Sequence, residues 1–151
     1  MATHSYSWNN KEKRQMNTFH KDLQTGKKGE TAAAAALAER GWRTTDLSDS
    51  PQYQKQDIDF RAEKNNITLT IEVKTDSVIS RTGNMFIETR QNEKDGYPAK
   101  AGLGWYHYCK ADIIFYIDST NKRMYCFYLN SLRKYIDTHS CPTAAHYDSY
   151  K

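Results

Sequence analysis

Hydrophobic and polar residues alternate with a period of two in the middle of the chain. In the stretches DIDFRA (57–62) and ITLTIEVK (67–74), every second residue is apolar. This alternation is typical of β-strands that bury one face. The residues between the two stretches, EKNN, are typical of a turn, so the pattern predicts an antiparallel hairpin.

A different periodicity precedes this hairpin. Apolar residues recur at helical spacings of three and four at Met16, Phe19 and Leu23. They predict a short helix over about 11–23. The alanine-rich stretch that follows has high helix propensity and predicts a second helix over about 28–40. Gly26 and Gly29 are interpreted as marking the start of this second helix, after a break from the first.

The later segments predict further strands and helices. Strands are expected in WRTTDL (42–47), NMFIETR (84–90), ADIIFYID (111–118) and RMYCFYL (123–129), the last two forming a second hairpin. Helices are expected around 103–110 and over 130–138, and loops over 48–56 and 91–104. Together these elements predict an α/β fold, with a mixed central β-sheet flanked by helices.

Length and composition limit the organisation. The 151 residues suit a single domain, predicted over 27–138, with a basic N-terminal arm and short helix at 1–26 and a tail at 139–151. Three cysteines without paired spacing favour a reducing compartment, and no apolar run is long enough to span a membrane. We therefore expect a cytoplasmic protein. The net charge of +4 favours a polyanionic partner without requiring one.

The candidate chemistry lies in the first hairpin. Because side chains alternate along a strand, Glu72 and Lys74 share one face, and Asp57 and Asp59 are expected to lie together. Two carboxylates beside a lysine suit phosphodiester hydrolysis with Mg²⁺, which prefers oxygen ligands and lowers the pKa of bound water. Glu30, in the predicted alanine-rich helix, is a third candidate carboxylate. The alternative is an ordinary solvated strand face with a cross-strand ion pair.

Three segments together resemble a known family. KKGETAAAAALAERGW, DIDF and IEVK are similar to the PD-(D/E)XK nuclease superfamily, in particular to Holliday-junction-resolvase-like and phage or mobile-element endonucleases. The resemblance implies a restriction-endonuclease-like core and Mg²⁺-dependent cleavage of DNA, with Mn²⁺ as a substitute and branched or junction DNA among the expected substrates. It also implies a homodimer, in a bacterial or phage-infected cell.

The resemblance assigns roles to individual residues. Glu30, Asp59, Glu72 and Lys74 match the catalytic set, and Asp59, Glu72 and the backbone carbonyl of Val73 match the metal ligands. The proline that names the motif is absent, since Ile58 precedes Asp59. Asp57 therefore remains an alternative ligand.

Basic residues near these segments are candidate contacts to phosphates. They are Lys27, Lys28, Arg81, Arg90 and Lys110. The main functional alternative is a nucleic-acid-binding protein that uses a nuclease-like scaffold without cutting. The sequence does not determine which DNA structure or sequence is recognised, or whether RNA is cut.

Overall fold

A five-stranded mixed sheet forms the centre of the protein. The computed structural model describes residues 10–89 and 103–142, with side chains from Gln24 onward, so Arg90 lies outside the described residues. In spatial order the strands are β1 (Arg43–Asp46), β2 (Phe60–Lys64), β3 (Ile67–Asp76), β4 (Ile113–Asp118) and β5 (Arg123–Tyr128). β3 and β4 pair in parallel and all other neighbours are antiparallel, which confirms the predicted α/β fold with a mixed sheet.

The predicted first hairpin is present as β2 and β3. Its turn consists of Asn65 and Asn66, whose φ angles are 50° and 62°. Two left-handed residues are characteristic of a tight turn that matches the twist of the flanking strands, and asparagine tolerates this backbone better than most residues. The turn sets the register, in which Phe60 lies opposite Ile71.

The predicted break between two N-terminal helices is wrong. A single helix, α1 (Asn10–Glu39), runs through both predicted segments. Gly29 lies against the sheet, where an added Cβ would come within 2.1 Å of the Thr75 hydroxyl oxygen. The glycine is thus a point of close approach between helix and sheet, and it does not end the helix.

The two faces of the sheet bury separate apolar clusters. On one face, Ala33 and Leu37 of α1 pack with a group of strand side chains: Phe60, Ala62, Ile71, Val73, Ile113, Phe115 and Ile117. On the other face, Ile114 packs with α4 (Trp105–Tyr108) and with Leu129 at the start of α5 (Leu129–Thr138). Side chains at even-numbered positions of β3 therefore share a face with α4.

The remaining segments correct two further predictions. The predicted loop at 48–56 contains a short helix, α2 (Pro51–Gln54). The predicted strand at 84–90 is not formed, because its described part, 84–89, follows the short α3 (Ile79–Thr82) as irregular chain. Its backbone is held by single contacts and not by a ladder, for example from the Phe86 N–H to the Tyr116 hydroxyl at 3.2 Å.

In residues 10–89 and 103–142, no helix combines the length and the apolar character needed to cross a bilayer.

Candidate active site

The candidate site lies where β2 begins beside the middle of β3. Asp59 immediately precedes β2, and its backbone N–H donates to the Ile71 carbonyl at 2.9 Å. Two residues further along β3, the Asp59 side chain takes the place of a backbone partner, because its Oδ2 accepts the Val73 N–H at 2.8 Å. This bond fixes the Asp59 carboxylate against β3, next to Glu72.

Glu72 and Lys74 project from the β3 face that α4 covers. Glu72 is only 6% exposed, and it and Asp118 are the two buried charged residues in the described chain. The Lys74 ammonium nitrogen lies 2.6 Å from Glu72 Oε1 and 3.4 Å from Asp57 Oδ2. It also lies 5.5 Å from the centroid of a Trp105 ring. The structure thus brings together the predicted glutamate, lysine and both aspartates.

The two aspartates have different surroundings. Asp57 is not in a strand, since its φ of 48° places it in the left-handed region. Strand alternation therefore does not apply at Asp57, although both aspartates lie near Glu72. Asp57 makes its side-chain contact with Lys74, whereas Asp59 contacts the β3 backbone.

Burial and charge crowding perturb the titration of these groups. Burial raises the pKa of Glu72 to about 8; the Lys74 charge opposes this rise, and the charges of Asp59 and Asp57 add to it. Burial also raises the pKa of Asp59, against the hydrogen bond from the Val73 N–H. Although burial disfavours a charged ammonium, Glu72 and Asp57 hold the pKa of Lys74 above its ordinary value. Lys74 therefore stays protonated, whereas the raised pKa values of Glu72 and Asp59 disfavour the ionisation of both carboxyls at once.

Glu30 lies at the edge of this cluster. It follows Gly29, whose close approach to Thr75 sets the position of α1 over β3. The Glu30 carboxylate is paired with the Lys27 ammonium at 2.9 Å, and its charge contributes to the raised pKa of Asp59. Glu30 is therefore near Asp59 electrostatically, while its direct partner is Lys27.

The predicted phosphate contacts have different settings. Lys27 Nζ also lies 3.4 Å from Asp46 Oδ2, so two carboxylates already neighbour it. Lys28 and Lys110 are exposed, and the backbone N–H of Lys110 donates to the Gln56 carbonyl at 2.8 Å, beside Asp57. Arg81 lies in α3, beyond the end of β3.

Two residues of the site were not assigned to it from the sequence. Trp105 lies over Lys74, and Cys109 directs its thiol to the Asp57 carbonyl at 3.3 Å. Both come from the segment before β4, far from the hairpin in sequence. The GWYHYCK stretch indicated only a short helix, because period and propensity carry no information on long-range contacts.

The carboxylates of this site are ligands of the kind that Mg²⁺ prefers. In the parts of the chain described with side chains, no three His, Cys, Asp or Glu side chains are grouped so that they could hold a metal ion. Mg²⁺, however, commonly uses one or two carboxylates and takes its other ligands from water and phosphate. Asp59 and Glu72 form such a carboxylate pair, since the Asp59 carboxylate is bonded to the N–H of Val73, the residue after Glu72, and its charge adds to the raised pKa of Glu72. The residues therefore fit the ion.

Comparison with known proteins finds a likeness in structure and none in sequence. No family profile and no curated protein matches the sequence. Among solved structures, a bacterial homing endonuclease superposes with a TM-score of 0.53 and 17% sequence identity, covering 75% of this chain and 72% of that one. At this identity the likeness establishes the fold: a five-stranded mixed sheet with flanking helices, of a kind that also occurs in a nuclease.

Proposed function

We propose that this protein is a Mg²⁺-dependent DNA endonuclease of the PD-(D/E)XK type. The observation that carries the proposal is the convergence of the half-buried Asp59 and Lys74 on the buried Glu72. Burying several ionisable groups is costly to stability, so such a cluster on an apolar scaffold favours a functional site over a structural one. The fold shared with a homing endonuclease supports the same proposal.

The proposed ligands of the ion are Asp59, Glu72 and the backbone carbonyl of Val73. In a β-strand the N–H and C=O of one residue point to the same side, and the Val73 N–H points to Asp59. The Val73 carbonyl therefore lies on the Asp59 side of β3, beyond the start of β2. Bound there, Mg²⁺ supplies charge neutralisation at the phosphate and a water of lowered pKa.

The other residues act on the substrate and the water. The Lys74 ammonium, protonated throughout the neutral range, positions the attacking water and stabilises negative charge in the transition state. Glu30 assists from α1, near Asp59. Mn²⁺ is expected to replace Mg²⁺, because it accepts the same oxygen ligands.

A specific observation favours a second candidate function. Since the described side chains hold no preassembled group of three metal-binding residues, a DNA-binding protein that does not cut is the alternative. The two functions differ in one measurable property. The endonuclease cleaves DNA when a divalent metal is added, whereas the alternative binds DNA and yields no product with or without the metal.

The test is a panel of linear, nicked, branched, junction and single-stranded DNA with Mg²⁺ or Mn²⁺. We expect cleavage of at least one member, and loss of cleavage without loss of binding in Lys74→Met and Glu72→Gln. Lys64→Met is the matched control, because Lys64 lies at the far end of β2, beside the hairpin turn. Cleavage of none of the panel by the wild type, with binding retained, would establish the alternative.

The oligomeric state belongs to the same proposal. A homodimer is expected from the family resemblance, since two sites on one assembly allow both strands of a duplex or junction to be cut. Light scattering coupled to size-exclusion chromatography checks it. A monomer at concentrations that support cleavage would restrict the proposal to single-strand cuts.

A further inference from the structure

We infer that Trp105 and Asp57 are positioning residues that hold the ammonium of Lys74. The inference rests on the proposed function in one respect, namely that Lys74 acts in cleavage. Lysine has a flexible four-carbon stem, so an ammonium that must meet one water requires outside restraint. Three groups supply that restraint here: the Glu72 carboxylate, the Asp57 carboxylate and the Trp105 ring.

The Trp105 ring is within the range of a cation–π contact. The Lys74 nitrogen lies 5.5 Å from the ring centroid, and significant contacts occur within about 6 Å. Trp105 is itself 4% exposed, so water competes little for the ammonium on that side. The ring thus stabilises the charge and closes one direction of movement.

The helix that carries Trp105 is fastened at both ends. Gly104 packs so tightly against the Glu88 carbonyl that an added Cβ would lie 2.1 Å from its oxygen. At the other end the Arg133 guanidinium donates to the carbonyls of Tyr106 and Cys109, at 2.7 and 2.9 Å. Both anchors limit displacement of the ring relative to the sheet.

Asp57 is fastened in a comparable way. Two hydrogen bonds hold its left-handed backbone. The Cys109 thiol donates to the Asp57 carbonyl at 3.3 Å, and the Lys110 N–H donates to the Gln56 carbonyl at 2.8 Å. The carboxylate is thereby directed to Lys74. The geometry thus gives the two aspartates different roles: Asp57 holds the Lys74 ammonium, and Asp59 is left to bind the metal.

Nuclear magnetic resonance tests the Trp105 contact without reference to activity. The ε-methylene protons of Lys74, identified by their absence in Lys74→Met, are expected upfield of the other lysines because they lie over an aromatic ring. Trp105→Leu should remove the shift, and Trp105→Phe should retain part of it. Trp42→Leu is the matched control, since Trp42 packs in the cluster on the opposite face.

Two results would overturn the contact. One is an ordinary Lys74 shift in the wild type, and the other is a shift that persists in folded Trp105→Leu. If the leucine variant does not fold, Trp105→Phe decides, because its smaller ring must reduce the shift. This measurement stands even if the wild type cuts no DNA, a result that would defeat the proposed function alone.

Single-turnover kinetics test the positioning role. With saturating protein, Trp105→Leu is expected to lower the cleavage rate about 3- to 30-fold while DNA affinity stays unchanged. Trp105→Phe should recover much of the rate. An unchanged rate in Trp105→Leu, or a loss of DNA affinity equal to the loss of rate, would overturn the role.

Metal titration tests the division between the aspartates. We expect Asp59→Asn to weaken Mn²⁺ binding by more than about tenfold, and Asp57→Asn by less than about threefold. Asp57→Asn should nevertheless slow cleavage. A tenfold loss of Mn²⁺ affinity in Asp57→Asn would identify Asp57 as a ligand and overturn its assignment to the lysine.

Discussion

Glu72 lies between Ile71 and Val73 on β3, and all three residues are buried. A carboxyl in such surroundings favours its neutral form, which explains a pKa raised from 4.5 to about 8. Between these two values the folded protein retains a proton that the unfolded chain releases. The free energy of unfolding therefore falls as the pH rises from about 5 to about 8.

This pH dependence can be measured by urea unfolding of the metal-free protein from pH 5 to 9. The described carboxyls whose pKa is lowered, Asp46, Glu63 and Asp118, contribute stability that is complete near pH 5, so they do not mask the fall. Glu72→Gln is expected to flatten most of the slope. A wild-type stability that is constant or rises across this window would contradict the assigned burial.

The site residues show how far local pattern reaches. Alternation along β3 correctly predicted that Glu72 and Lys74 share a face, because that strand is regular and long. The same rule failed at Asp57, where one left-handed residue interrupts the extended chain before β2. Trp105 was beyond prediction, since its contact with Lys74 depends on how α4 packs on the sheet.

At the scale of elements, the crossing of α1 over β3 determines where Glu30 lies. Gly29→Ala is expected to lower the free energy of unfolding by about 1–3 kcal/mol, because the added methyl would overlap the Thr75 hydroxyl. Thr75→Ala removes that oxygen, which is buried and has no hydrogen-bond partner among the described residues. The double variant should therefore recover much of the loss, as measured by urea unfolding.

Gly26→Ala is the control in the same helix. An added Cβ there meets nothing within 4 Å, so the higher helix propensity of alanine should stabilise the protein by up to about 1 kcal/mol. If the two glycine variants behaved alike, the close approach at Gly29 would be refuted. These two glycines also explain why the helix break was wrongly predicted. The sequence does not show whether a glycine ends a helix or allows a strand to pack closely against it.

The hairpin turn gives a second prediction for an element. Asn66 has a φ of 62°, so Asn66→Gly should leave stability unchanged or raise it, whereas Asn66→Ala should lower it by about 1 kcal/mol. Thermal unfolding measures both variants. Equal midpoints for glycine and alanine would mean that the turn is not left-handed at this position. Here the sequence sufficed, because the paired asparagines between alternating strands carry the signal locally.

At the scale of the whole molecule, the order of the sheet could not be predicted from local pattern. β3 pairs with β4 across a connection of more than thirty residues, and this parallel pairing places α4 over the site. The expected strand at 84–90 lies in that connection. Its described part, 84–89, has strand-like composition but no ladder partner among the described residues. β3 is already paired on both sides, and residues of 84–89 bond to Tyr116 and to α4 instead.

The distribution of charge leads to a final prediction, on DNA binding. Lys28 is two residues before Glu30 in α1, and Lys110 is bonded through its backbone to Gln56, next to Asp57; both lysines are exposed. Each of Lys28→Ala and Lys110→Ala should weaken binding at moderate salt and reduce the slope of log K against log salt by about one, since each removes one phosphate contact. Lys64→Ala, at the turn end of the β2–β3 hairpin, should leave the slope unchanged. Fluorescence anisotropy with a labelled duplex over a range of salt measures all three, and an equal effect of the three variants would mean that DNA is attracted by net charge and not held at this face.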